Sequence, residues 1–327
     1  MEEYTGPETK GWWRVVSCIP VGMKGKLAIV TGANSGLGQA VTGELARRGA
    51  DVIMACRDLT RAQVAKDILL SKYGSENPES TKIDVADEKI TAILQPISDG
   101  QLRVEQLDLS SFQSVRNFAD GITKAGRPVD YLINNAALIS PIYERSTDGH
   151  ELQFAVNYLG PVLLTELLLP MLEKAPKARI VNVSSMLHFL GNLYKPSLHL
   201  VGADYGPYVA YNQSKLALTM YTVELGKRLE GTNVIAVCVS PGPVETNLGR
   251  NTSSWINKMY ATLMKPQEVK PWDAAQYITH ALLRRNLIQG AYYDTYERDF
   301  PNRLAMTKSE RDWLWEKTQE MIKLKVT

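Results

Sequence analysis

The sequence is short of the residues that mark several functional classes, and each shortage removes a possibility. Three cysteines occur in 327 residues, Cys18, Cys56 and Cys238, all far apart. They offer neither a disulfide framework nor paired metal-ligand spacing. The last two lie in apolar, strand-like runs, so they read as reduced core thiols in a cytosolic or cytosol-facing protein. The four histidines form no cluster, and His150-Glu151 lacks the second histidine of a zinc helix, so no metal site is expected. Charge is nearly balanced, 37 basic against 35 acidic residues, with no basic block, so no nucleic-acid partner is expected. No apolar run reaches the roughly 18 residues of a membrane-spanning helix. Glu2 and Glu3 stand where a signal peptide would be positively charged. Without a secretory signal, the sequons at Asn182, Asn212 and Asn251 are coincidences. Internal repeats and low-complexity linkers are missing too.

What is present is enough apolar sequence, 44% of the chain, to bury a large core. Short apolar runs at 27–30, 51–56, 102–107, 130–135, 179–185 and 234–240 alternate with helical patterns, and a short last strand follows near 290–293. This alternation predicts a single α/β domain, a doubly wound Rossmann-type parallel sheet with helices on both faces. Helices are expected to run through 36–49, up to 73, up to 126, 153–173 with a kink at Pro161, 208–229, 271–283 and 309–324. Residues 1–23 form an N-terminal extension, 24–300 the catalytic domain and 301–327 a helical tail. Residues 74–100 break the rhythm and read as an exposed insertion with one short helix. Gly11 to Met23 is apolar, with Trp12 and Trp13 beside Arg14. It either packs on the flank of the domain or rests in a bilayer interface, and Pro20 and Gly22 shorten any amphipathic helix there.

The stretch Thr31-Gly-Ala-Asn-Ser-Gly-Leu-Gly38 turns from the first strand into the first helix. Unpaired backbone N–H groups and the positive end of the helix dipole make such a turn a phosphate site. Gly32 allows the sharp turn, Gly36 lets a pyrophosphate approach, and Gly38 allows close helix–strand packing. In a dinucleotide fold, an acid at the end of the second strand accepts from the ribose 2′-hydroxyl of NAD. That acid is missing: Cys56 stands there, followed by Arg57, whose planar fork of donors suits a 2′-phosphate. NADP(H) is therefore expected over NAD(H), the alternative being a surface arginine beside Asp58. Asp108 suits the adenine amino group, the cap of the next helix, or both.

Tyr211 and Lys215 lie four residues apart within a helical pattern and share one face. A phenol with its ordinary pKa of about 10 is a poor base at neutral pH, and a nearby ammonium is expected to lower it. Ser185 ends a parallel strand, where open α/β sheets place their ligand chemistry, and its hydroxyl suits a developing alkoxide. Taken singly, each also has a plain structural reading.

Together with Asn134-Asn-Ala136, Asn157 and Pro241-Gly242, these motifs follow the order of the short-chain dehydrogenase/reductase family, which the chain resembles over about 24–300. Met54-Ala-Cys-Arg-Asp58, Asn157-Tyr-Leu-Gly160, Arg179-Ile-Val-Asn-Val-Ser-Ser185 with His188, Pro241-Gly-Pro-Val-Glu-Thr246 and Trp313-Leu-Trp315 resemble its retinol dehydrogenase-like branch. The resemblance implies seven strands in the order 3-2-1-4-5-6-7. It implies that Tyr211 is the acid/base, that Lys215 holds the nicotinamide ribose, that Ser185 orients the substrate oxygen and that Asn157 supports a water relay. It places the cofactor against Thr31, Gly32, Asn34, Ser35, Gly36, Leu37, Gly38, Arg57, Asp108, Leu109, Asn135, Ala136, Tyr211, Lys215, Pro241, Gly242, Val244 and Thr246. The branch prefers NADP(H), acts on lipophilic alcohols and aldehydes such as retinoids, sterols and polyprenols, and includes members tethered to the endoplasmic reticulum or lipid droplets. The family also pairs as homodimers through its long helices, here around 149–175 and 208–230.

Three departures stand out: Ala137 in place of the usual glycine, the long insertion at 74–100, and no hydrophobic N-terminal anchor. Bulky apolar residues between Leu248 and Leu263 suggest a greasy substrate lid over 243–270. The expectation is an NADP(H)-dependent oxidoreductase acting on a lipophilic alcohol and its carbonyl. The rivals are a nucleotide-binding scaffold without effective catalysis and a peripheral membrane or partner-binding protein.

Overall fold

In a computed structural model, residues 21–77, 93–245 and 268–323 are described. The interior of the insertion, most of the lid segment including Thr246, and nearly all of the N-terminal extension lie outside them. The sheet orders its strands β3 (Leu102–Gln106), β2 (Asp51–Cys56), β1 (Leu27–Thr31), β4 (Tyr131–Asn134), β5 (Ala178–Val183), β6 (Val234–Ser240), β7 (Tyr292–Asp294) and β8 (Glu297–Asp299). The first seven are parallel in the expected order, but the sheet has eight strands rather than seven. β8 hairpins back antiparallel on β7. Its three residues, Glu297-Arg-Asp299, are all exposed, so no apolar pattern announces the strand; it forms because the open backbone edge of β7 accepts it.

The strands of the sheet's centre read as continuous apolar runs because both of their faces are covered. In β1, Leu27 and Ile29 face one core while Ala28 and Val30 face the other. The first core is closed by α3 (Phe112–Ala125), α4 (Leu152–Glu173), α5 (Pro207–Arg228) and the C-terminal α7 (Lys308–Ile322). The second is closed by α1 (Gly36–Arg47), α2 (Leu59–Tyr73) and α6 (Pro271–Leu283). By length and composition α4 resembles a membrane span, yet most of its apolar stretch is buried in the domain.

Three expectations change here. The kink expected at Pro161 is a π turn over Ala155–Leu159, immediately before it. The insertion is not wholly exposed at its described ends: Gly74 bridges to Ile97, and Leu94 and Ile97 are buried. The cap of α3 is Ser111, whose hydroxyl accepts the Ser114 N–H, while Asp108 accepts from the N–H and hydroxyl of Ser110.

Candidate active site

The glycine turn sits at the carboxyl end of β1 and is held to the end of β4. The Thr31 hydroxyl accepts from the N–H groups of Asn135 and Ala136, both at 3.0 Å. The Asn135 amide donates to the Thr31 carbonyl at 2.9 Å. Gly32 and Gly36 have positive φ, which L side chains rarely adopt. A Cβ on Gly38 would fall 2.3 Å from the Gly32 carbonyl oxygen, so only glycine lets α1 approach the turn so closely. Ser35 is the N-cap of α1 but makes no side-chain cap bond, and no acid lies in the first turn. A helix N-terminus with uncapped amides at the carboxyl edge of a parallel sheet fits a dinucleotide pyrophosphate.

Beside the turn, the Cys56 thiol accepts from the amides of Ala33 and Asn34, and burial pushes it up to about 11. Cys56 and Cys238 are buried free thiols, as expected of core cysteines. Arg57 is exposed at the end of β2, while Asp58 turns away to cap α2 through the Arg61 N–H. Asn34, Asp108 and Leu109 ring the same edge, with Pro241, Gly242 and Val244 following β6. Val244 pairs with Val269, which brings together the two ends of the lid segment.

On the other side of β4, Ser185 follows β5 and caps a 3-10 turn over Met186–Leu190 by accepting the Leu187 N–H at 3.2 Å. Tyr211, on α5, is buried and shares a hydrogen bond with the Ser185 hydroxyl. One turn later, Lys215 donates its Nζ to the Val183 carbonyl at 2.8 Å and lies 5.7 Å from the Tyr211 ring centroid. Burial pushes Tyr211 up to about 12, with the Ser185 bond opposing it, and drives Lys215 down to about 8. The expected lowering of the phenol by the lysine is therefore not what dominates. Desolvation, which disfavours both charged forms, outweighs it.

Asn157 stands where three elements of the site meet. Its side chain clamps both backbone groups of Leu138 (2.9 and 3.0 Å) and donates to the Ser214 hydroxyl at 3.1 Å. That amide is committed to holding α4, α5 and the loop after β4 together. The Asn157 carbonyl sits in the π turn, and Pro161 has no N–H to give it, so it loses its ordinary helical donor.

Sequence reasoning missed the supports of this site. Asn134 donates to Thr165 (3.0 Å) and Asn182 (2.8 Å), and Asn182 donates to Thr222 (2.9 Å), a buried polar chain linking β4, β5, α4 and α5. The signal was there: polar residues inside otherwise apolar runs. Gln213 pins the 194–198 loop by accepting the Tyr194 N–H and donating to the Leu198 carbonyl.

The short chain dehydrogenase family model matches residues 70–257, more than half of the chain. Retinol dehydrogenase 13 of Mus musculus is 35% identical over 307 residues, 92% of this chain and 84% of that protein. Retinol dehydrogenase 14 of Mus musculus is 43% identical over 232 residues, 70% of this chain and 64% of that protein. The solved structure of an uncharacterised protein from Mycobacterium paratuberculosis has a TM-score of 0.71 at 29% identity, covering 94% of this chain and 97% of that one. NADPH-bound carbonyl reductase from chicken fatty liver shares the fold, with a TM-score of 0.59 at 23% identity over 85% of this chain and 99% of that one. Site order, sheet order and these likenesses agree: the chain is an oxidoreductase of the short-chain dehydrogenase/reductase family, in its retinol dehydrogenase-like branch.

Proposed function

We propose that the protein interconverts a lipophilic alcohol and its aldehyde or ketone, of retinoid, sterol, polyprenol or fatty-aldehyde type, using NADP(H). The observation that carries this reading is the buried Tyr211 phenol, hydrogen-bonded to Ser185 with Lys215 one helical turn away, across β4 from the uncapped glycine turn. A nicotinamide dinucleotide, when bound, supplies or accepts the hydride. Thr31 to Gly38 would hold its pyrophosphate, Asp108 and Leu109 its adenine end, and Asn135, Ala136, Pro241, Gly242 and Val244 the rest of the dinucleotide. In reduction, Ser185 orients the carbonyl oxygen and Tyr211 delivers its proton. The Lys215 ammonium opposes the phenolate charge that this leaves behind. Replacing Tyr211 with Phe is expected to lower turnover roughly 10²- to 10⁴-fold while leaving NADPH binding intact. Turnover near the parent value would overturn the assignment.

Arg57 supports the choice of NADP(H): it is exposed, and its neighbour Asp58 is engaged with α2. Changing Arg57 to Glu is expected to weaken NADPH binding roughly tenfold and favour NADH. A fluorescence titration with both cofactors reads this, and an unchanged preference would count against Arg57 as the selector.

For the substrate class, the named relatives are retinol dehydrogenases. In addition, a cleft of about 230 Å³ adjoins the first turns of α5, lined by Leu190, Leu193, Tyr194, Leu200, Val209 and Asn212. Ile142 and Met186 are exposed on neighbouring loops. Assaying retinal, a long-chain aldehyde, a polyprenal and a steroid ketone with NADPH distinguishes the members of this class. Residues 11–23 are read either as packing on the flank of the domain, where Met23 is buried, or as a peripheral membrane contact, and liposome flotation of the full chain against residues 24–327 separates the two.

A further inference from the structure

His188 is wholly buried three residues after Ser185, and both of its ring nitrogens are engaged. Nδ1 lies 2.8 Å from the Ser185 carbonyl oxygen, and Nε2 lies 3.2 Å from the backbone nitrogen of Asn302. A carbonyl only accepts and an amide N–H only donates, so these partners assign the neutral tautomer with its proton on Nδ1. The Ser185 carbonyl therefore receives two donors, the His188 ring and the His188 backbone N–H at 3.0 Å. Tyr292 and Phe189 flank the ring, with centroids 4.6 and 4.1 Å away. Burial lowers its proton affinity, and Asp299 is the charged group whose field opposes this.

Asn302 belongs to the segment that leads into α7, 114 residues further along the chain. Its amide donates to the carbonyls of His188 (3.3 Å), Phe189 (3.1 Å) and Gly191 (3.4 Å). Its Oδ1 accepts the Leu304 N–H and caps the helical turn Arg303–Met306. The turn that carries Ser185 is thus tied to the C-terminal segment through the His188 imidazole and the backbone and side-chain amides of Asn302.

We propose that His188 is a positioning residue for Ser185: its Nδ1–H, oriented by Asn302, fixes the backbone from which the serine hydroxyl reaches the substrate oxygen. This rests on the reading of Ser185 given above. Small displacements of an orienting group cost rate more than binding, because alignment matters most in the transition state.

Two near-isosteric variants separate the two ring nitrogens. His188→Asn keeps a donor near the Nδ1 position, whereas His188→Gln places its amide nearer Nε2. With retinal and NADPH, His188→Gln is expected to lower kcat roughly 10- to 100-fold. His188→Asn is expected to stay within about threefold of the parent, and NADPH affinity is expected to hold in both. In a Ser185→Ala background, His188→Gln should cause little additional loss, because the group it positions is gone. Parent-like turnover of His188→Gln would overturn the proposal. So would equal impairment of both variants, a matching fall in NADPH affinity, or full additivity with Ser185→Ala. Ser185→Ala with parent-like kcat would instead sink the reading of Ser185 itself.

Discussion

Burial acts on Tyr211 and Lys215 in opposite directions, and the result selects one protonation state. With the phenol pushed up to about 12 and the ammonium drawn down to about 8, the pair at pH 7 is a protonated phenol beside a charged lysine. That is the state of an acid ready to protonate a carbonyl oxygen. The sign of the pH dependence follows. As pH rises through about 8, Lys215 loses its charge and the forming phenolate loses its support. The kcat for carbonyl reduction is therefore expected to be level below that value and to fall above it. A profile across pH 6 to 10 checks this; a rate that rises through pH 8 would contradict it. Both residues were legible from their four-residue spacing, but the direction of the phenol shift was not. The shift depends on how completely α5 is covered by neighbours distant in sequence.

Between elements, the polar chain Asn134–Asn182–Thr222 holds the carboxyl ends of β4 and β5 against α5. These ends carry Asn135 on one side and Ser185 on the other, so the chain sets the spacing between those two residues. Replacing Asn182 with Val would leave one N–H of the buried Asn134 amide without an acceptor, while Thr222 keeps its bond to the Leu218 carbonyl. A loss of about 1–3 kcal/mol is expected for the buried group left unsatisfied, read by urea denaturation with an unchanged m value. The central strands were legible to within a residue or two because their apolar runs are unbroken. β8 was not, since Glu297-Arg-Asp299 pairs only because β7 leaves an edge beside it. The π turn was visible only as the proline that follows it.

Across the whole molecule, the C-terminal helix α7 packs onto α4 and the later turns of α5. The hydroxyls of Tyr158 and Thr318 lie 2.6 Å apart, Arg311 meets Glu224 at 3.2 Å, and Trp315 packs near Tyr221. Leu314 and Ile322 are buried in the same core as α4 and α5. Homodimer pairing through α4 and α5 would have to use the part of their surface that α7 leaves uncovered, or displace it. Removing only the Tyr158 hydroxyl, as Phe, is expected to cost about 1 kcal/mol, because Thr318 keeps its bond to the Leu314 carbonyl. The thermal midpoint would fall by a few degrees at most. A drop well beyond that would mean that the hydroxyl pair anchors α7 more than its packing does.

The sequence by itself determined the parallel α/β domain, the glycine turn, the positions of Ser185, Tyr211, Lys215 and Asn157, and the missing acid after β2. All of these are local: an apolar run, a turn that needs glycine, a helical spacing. Tertiary structure alone decided that Asn157 spends its amide on Leu138 and Ser214, and that Asn302 reaches His188 behind Ser185. It also decided the eighth strand and the seat of α7. Those contacts join residues far apart in the chain, and their partners are chosen by which surfaces the folded sheet brings within hydrogen-bonding distance.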